Sequence, residues 1–271
     1  DEQFAAYKKV LANAMGNPVT LRTLDIGGDK SLPYLDIPKE DNPFLGNRAL
    51  RLCLEHTELF ETQLRAALRA SAFGPMQIMF PMVGTIDDVR AGNAAVEKVK
   101  ADLRSEGIPF DEKIKVGIMI EIPSIAMIAD MAALETDFAS VGTNDLTQYL
   151  HAVDRMNPKI VSYYQSYSPA MYRILGKIFK EYNEAGKPIS VCGELAGEPL
   201  AAIVLFGLGL RKFSMNASKI AHVKRILSLF TLEETENIAE RVMNLQTQSD
   251  VIAYLKAEVA KREKKLSEAA E

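Results

Sequence analysis

The sequence predicts an α/β fold with a parallel sheet, its 271 residues long enough for one large barrel of the (β/α)8 type, of which about six of eight strands are present, or for two smaller domains. Three observations predict it. Short apolar or alternating runs recur six times, and stretches with helical periodicity separate them. Glycine, proline or a polar cluster stops each run. Residues able to do chemistry gather just past those runs, where the loops of a parallel barrel open on one face.

Residues 1–15 place Phe4, Tyr7, Val10, Leu11 and Met15 at helical spacing, and Gly16 stops them. Residues 19–25 alternate and are rich in β-branched side chains, a first strand that runs into the glycine turn Ile26-Gly-Gly-Asp-Lys30. A loop rich in Pro and Asp follows, and residues 44–71 read as one helix ended by Gly74-Pro75. Residues 77–80 are the second strand. Thr85 caps the next helix and Gly107 closes it. The third strand spans 115–121, a short helix 124–134, and the fourth strand 138–141. Ser168-Pro169 opens a helix that ends near Gly186. The fifth strand is 188–192, a helix covers 199–206, and the sixth strand is 211–215. From Ala217 onward the pattern is helical, and the charged run 261–268 reads as a solvated or frayed tail. A complete barrel takes eight strands and about 250 residues. Two strands are missing here.

Composition narrows the function classes. With 48% hydrophobic and 25% charged residues the chain reads as an ordinary soluble globular protein. Its net charge of -4 carries no basic footprint for nucleic acid. Cys53 and Cys192 stand far apart without a CxxC, which favours neither a disulfide framework nor zinc and fits a reducing, cytoplasmic setting. No apolar run approaches the roughly 20 residues of a membrane span, and no secretory apolar region opens the chain. The first residues, Asp1-Glu-Gln-Phe, are already helix-like and lack an initiator Met, so a fragment of a longer protein is expected.

The stretch Phe138-Ala-Ser-Val-Gly-Thr-Asn-Asp145 is an apolar strand that ends in a hydroxyl, an amide and a carboxylate. Such a tip suits a hard cation and a phosphate, since cations take oxygen ligands and hydroxyls and amides bond phosphate oxygens. The plain alternative is that Asn144 and Asp145 only cap the next helix. Other strands end alike: the first carries Arg22 and leads to Lys30, the third ends in Glu121, the fifth in Cys192-Gly-Glu194, and Asn216 follows the sixth. Glu121 and Asp145 on adjacent tips repel unless a cation sits between them, and Mg²⁺ bound by one or two carboxylates plus substrate oxygens is the common arrangement. Arg22, Lys30, Arg48 and Arg155 point to an anionic substrate. The plain readings are solvation for Arg48 and pairing with Asp154 for Arg155. Cys192 stands open as nucleophile, proton donor or inert thiol. The histidines do not cluster: His56 and His222 read as surface helix residues, and His151 lies near the site without a required role.

Taken in order, Leu21-Arg-Thr-Leu-Asp-Ile-Gly-Gly-Asp-Lys30, Phe44-Leu-Gly-Asn-Arg48, Ile78-Met-Phe-Pro-Met82 and Met119-Ile-Glu121 resemble segments of enzyme I of the bacterial sugar phosphotransferase system. So do Val141-Gly-Thr-Asn-Asp-Leu-Thr-Gln-Tyr149, Ala152-Val-Asp-Arg155 and Val191-Cys-Gly-Glu-Leu-Ala-Gly197. The resemblance covers nearly the whole chain. It implies that residues 1–271 are the C-terminal phosphoenolpyruvate-binding domain, a (β/α)8 barrel that forms homodimers in the family. It implies that Glu121 and Asp145 ligate Mg²⁺, that Arg22, Arg155 and Asn144 hold the phosphate and carboxylate, and that Lys30 and Arg48 add positive charge. It implies that Cys192 gives a proton to C3 of the enolate and so releases pyruvate, a role that needs the thiol form, which an unperturbed pKa of ~8.5 allows. The family's Arg-Thr-Glu-Phe-Leu segment on an earlier strand has no counterpart here, which implies a barrel truncated at its N-terminus. The phosphohistidine domain and the domain that docks the histidine phosphocarrier protein are also outside this sequence, so the chain alone is expected not to complete the transfer.

Three other readings compete. Pyruvate phosphate dikinase and phosphoenolpyruvate synthase share the Gly-Thr-Asn-Asp signature and the Cys acid, but the wording of Cys192-Gly-Glu-Leu-Ala-Gly197 favours enzyme I. A Mg²⁺-dependent carbon–carbon lyase of pyruvate-like acids uses two carboxylates and the metal but needs no Cys192. A non-catalytic sensing or dimerisation module would show no Mg²⁺-dependent binding of phosphoenolpyruvate.

Overall fold

The structure is a computed structural model and describes residues 1–27 and 40–270; Lys30 and the loop that follows it lie outside the described residues. Six strands are hydrogen-bonded in chain order: β1 (Val19–Arg22), β2 (Met76–Phe80), β3 (Lys115–Ile120), β4 (Ala139–Gly142), β5 (Ile189–Cys192) and β6 (Lys212–Phe213). β1 pairs β2 in parallel with Arg22 beside Met79, β2 pairs β3 with Phe80 beside Ile118, and β5 pairs β6 with Val191 beside Phe213. The expected α/β class and six-strand count hold. Consecutive strands that pair in parallel need a crossover between each, and helices supply it. The chain divides into two compact units, Asp1–Ile120 with Leu134–Ala139, and Glu121–Ala133 with Ser140–Glu271.

In the first unit, α1 (Glu2–Asn13) lies on a later helix, α3 (Thr57–Ser71), and Phe4 meets Phe73, two residues past that helix, edge to face at 5.9 Å. Only Leu11 of its expected apolar face is buried, and Met15 past its end is 88% exposed. The single helix expected over 44–71 is instead a 3₁₀ turn at Pro43–Leu45, α2 (Leu50–Glu55) and α3. Long-range bonds override the helical pattern here. The Ala49 N–H donates to Ile26 O at 2.9 Å and holds Ala49 at φ +54, while His56 breaks the helix at φ -99 and ψ 66. Helix α4 (Ile86–Ser105) starts in the expected cap: the Thr85 hydroxyl accepts from the Asp88 N–H while the Asp88 carboxylate accepts from the Thr85 N–H. Gly92 of α4 rests against the Phe80 ring, with no room for a Cβ between them.

The second unit holds α5 (Pro123–Met127), α7 (Thr143–Leu150) directly after β4, α8 (Pro169–Glu184), α9 (Pro199–Gly207), α10 (Ala217–Leu227), α11 (Leu232–Met243) and α12 (Gln248–Ala270). A further helix, α6 (Ala129–Glu135), spans the residues where the two units exchange. Ser168 caps α8 and Pro169 takes its first turn, as expected. Helix α9 is apolar all round because it packs against α8, α10, α11 and α12. The charged tail is ordered helix, pinned by Arg262 to Glu234 at 2.7 Å and Arg225 to Glu263 at 3.1 Å.

Candidate functional site

The strand ends carry the polar residues the sequence pattern placed there. Arg22 closes β1, Glu121 follows β3, Thr143-Asn144-Asp145 follow β4, Cys192 closes β5 and Asn216 follows β6.

In the second unit, Asn144 and Asp145 do not cap α7. Gly142 holds the N-cap position and makes no side-chain cap bond. Asn144 Oδ1 instead accepts the Glu194 N–H at 3.0 Å. Since a backbone N–H donates, that bond identifies the carbonyl end of the amide and leaves Nδ2 as the end that donates elsewhere. The Tyr164 hydroxyl donates to Asn144 O at 3.2 Å. Burial pushes the Tyr164 phenol up from its ordinary pKa, against the pull of a hydrogen bond with Thr147 and the Arg155 cation, so it stays a neutral donor. Asp145 is 7% exposed and sits in the first turn of α7, where the helix dipole favours its charge.

Arg155 Nη2 reaches Asp145 Oδ1 at 3.4 Å, so its partner is not the neighbouring Asp154, which instead accepts the Met156 N–H. The Arg155 N–H is taken by Gln148 Oε1 at 3.0 Å, which ties its turn to α7. Arg155 Nη1 is buried without a hydrogen-bond partner in the protein. Cys192 is half-buried; its thiol donates to Val141 O at 3.5 Å, and its own carbonyl accepts from the Thr143 hydroxyl at 3.0 Å. Beside Asn144 opens a cavity of about 140 Å³ walled by Thr143, Thr147, Tyr164, Tyr167 and Glu194.

Glu121 is 1% exposed and belongs to the same unit. Among the described residues, no three His, Cys, Asp or Glu side chains gather as a metal group. A Mg²⁺ ion does not need them, because it keeps waters and takes one or two carboxylates with oxygens of a phosphorylated ligand. Two buried carboxylates after the neighbouring strands β3 and β4 fit that sparse donor set.

The first unit builds a separate charge cluster. Asp25 receives Arg48 Nη2 on both carboxylate oxygens, at 3.0 and 3.2 Å, with the two side chains only 2% and 3% exposed. Arg22 Nη1 stands 3.6 Å from the same carboxylate and its side chain is 43% exposed. Arg48 is thus buried and paired rather than solvated. Gly27, at φ +93, makes the cluster possible: a Cβ there would stand 2.9 Å from Arg48 Cα.

Among the remaining expectations, Asn216 caps α10 by accepting the Ser218 N–H. His222 is exposed, while His56 is half-buried at the break between α2 and α3. His151 bonds Thr147 O through Nδ1 and Ser168 Oγ through Nε2. Sequence reasoning missed Gln148 and Tyr164. Gln148 bears the one usable signal, being one helical turn past Asn144, whereas Tyr164 sits in a loop with no periodic pattern.

Residues 1–231 match the family described as the PEP-binding domain of PEP-utilising enzymes. Among curated relatives, the phosphoenolpyruvate-protein phosphotransferase of Priestia megaterium is 48% identical over 257 residues, 95% of this chain and 45% of the relative. The protein of that name from Bacillus subtilis is 48% identical over 256 residues, 94% of this chain and 45% of the relative. The chain therefore spans less than half the length of these relatives. A solved citrate lyase from Burkholderia xenovorans aligns with TM-score 0.47 and 17% identity over 78% of this chain and 70% of that one.

Proposed function

The chain belongs to the PEP-binding domain family of PEP-utilising enzymes, and from that premise we propose that it binds phosphoenolpyruvate for a phosphoenolpyruvate-protein phosphotransferase. One observation carries the reading. In the second unit, past β4 and β5, Asn144 Oδ1 accepts the Glu194 N–H, Asp145 pairs with Arg155 and the Cys192 thiol donates to Val141 O, which gives one unit an amide, a guanidinium and a thiol able to serve this ligand.

In this proposal the Nδ2 donors of Asn144 and the guanidinium of Arg155 hold the anionic groups of the ligand. Glu121 and Asp145 would hold Mg²⁺, which when bound neutralises phosphate charge. The phosphorus–oxygen bond at C2 breaks as the phosphoryl group passes to a histidine on another domain, and the electron pair stays on the enolate. Cys192 then gives its thiol proton to C3, the carbonyl forms at C2, and the thiolate recovers a proton from solvent. The protein's part is positioning and charge stabilisation, as phosphoryl transfer requires. We extend the proposal to residues 1–271 as one binding domain of a cytoplasmic homodimer that feeds a histidine phosphocarrier protein in sugar uptake. No helix among the described residues is long and apolar enough to cross a membrane.

Titration of the chain with phosphoenolpyruvate, with and without Mg²⁺, tests the reading by calorimetry. Binding should require Mg²⁺ and weaken by about 10- to 100-fold in R155A, the loss typical of a charged hydrogen bond. C192A should bind as the parent does, because its proton is used only after transfer. Binding that ignores both Mg²⁺ and R155A would overturn the proposal.

A further inference from the structure

The ends of β4 and β5 are joined by bonds that no parallel ladder supplies. The Thr143 hydroxyl crosses to Cys192 O, the Cys192 thiol crosses back to Val141 O, and the Glu194 N–H meets Asn144 Oδ1. Cys192 is therefore held at two points, its carbonyl by Thr143 and its sulfur by the strand two residues earlier. Thr143 is 1% exposed, so water offers its hydroxyl little alternative to this partner. Gly193 sits between the bonded pairs at φ +99, and a Cβ there would stand 2.6 Å from Thr143 Oγ1 and 2.9 Å from Asn144 Oδ1. The joint closes because residue 193 has no side chain.

The bond from sulfur to Val141 O can be made only by a protonated thiol, since a thiolate has nothing to donate. A group meant to deliver a proton must keep it until the enolate forms, and must keep a fixed direction. We propose that Thr143 is a positioning residue for Cys192, its hydroxyl clamping the Cys192 carbonyl so that the thiol holds its proton and its aim. This inference rests on reading Cys192 as the acid. The plain alternative is that Thr143 merely satisfies a carbonyl and adds general stability.

The two cysteines separate these cases. Cys53 is 0% exposed, and burial, with the Asp25 charge adding to it, pushes its thiol up to about 12. In the folded chain iodoacetamide therefore reads Cys192 alone, and any labelling of Cys53 reports unfolding. T143V deletes the donor at nearly constant volume, and T143S restores it. Peptide mass analysis should show Cys192 labelled about three- to tenfold faster in T143V, the loss of one hydrogen bond, and within about twofold of the parent in T143S, with Cys53 silent in all three. An unchanged rate at Cys192 in T143V would overturn the assignment, and so would equal acceleration of both cysteines. Protection of Cys192 by phosphoenolpyruvate with Mg²⁺ reports on the binding reading instead. Its absence would count against that reading and leave the comparison of T143V with T143S intact.

Discussion

At the scale of single residues, Cys53 and Cys192 carry the same thiol into opposite surroundings. Cys53 has no exposed surface, and its thiol donates to Leu24 O at 3.8 Å. Burial and the nearby Asp25 raise its pKa from 9.0 to about 12. The unfolded chain ionises this thiol near pH 9, whereas the folded chain keeps it protonated until about 12. Between those values the unfolded state binds fewer protons, so stability is full below pH 9 and falls as pH rises, by about 1.4 kcal/mol per pH unit. Urea unfolding of the parent and C53A from about pH 8 to about pH 10 checks this. The parent curve should drop more steeply above pH 9. Parallel curves would mean the thiol is not buried as described. Arg48 shows how context decides at this scale. Its sequence neighbours give it the look of a solvated cation, yet it lies 1% exposed with its guanidinium on Asp25, and breaking such a buried pair costs about 3–5 kcal/mol.

At the scale of elements, α9 and α11 of the second unit pack against one another. Gly207 ends α9, and a Cβ there would fall inside contact distance of the Thr235 carbonyl and 3.0 Å from Ala239 Cβ. The Thr235 carbonyl is backbone of α11 and cannot swing aside as a side chain could. Gly207→Ala must therefore push α9 and α11 apart, an overpacking that costs about 1–3 kcal/mol. Chemical denaturation measures it, and a variant as stable as the parent would show that the helices separate freely. The same scale explains which elements were legible. β2 through β5 are apolar runs bounded by Gly, Pro or polar residues, and α4 and α8 begin at Thr85 and Ser168 with side chains that cap in place, so local chemistry names them. The break of the 44–71 helix was not legible, because the Ile26 carbonyl and Asp25, some twenty positions earlier, impose it on Ala49 and Arg48. Strand β6 is two residues long where the pattern suggested five, because only Lys212 and Phe213 pair with β5.

At the scale of the molecule, the site's chemistry was legible in residue types but not in their bonds. Asn144, Asp145, Arg155 and Cys192 stand out as polar residues past apolar strands. Tyr164 holding Asn144 and Thr143 holding Cys192 emerge only when distant segments meet, and Gln148 holds Arg155 across a turn of seven residues. An acidic chain of net charge -4 must take an anion by local arrangement rather than by its overall field. That makes the response to ligand uneven. A ligand that binds only the folded state adds about 2.7 kcal/mol at a hundredfold excess over Kd. The gain should appear as slower amide exchange in residues 141–155 and 190–198, which carry Asn144, Arg155 and Cys192 and the bonds from Thr143 and Val141 to Cys192 and from Asn144 to Glu194, while the far end of α12 exchanges as before. Hydrogen–deuterium exchange with phosphoenolpyruvate and Mg²⁺ maps it segment by segment. Protection spread evenly along α12 as well would mean that the ligand acts by tightening the whole second unit, and the ends of β4 and β5 would lose their claim to be where it binds.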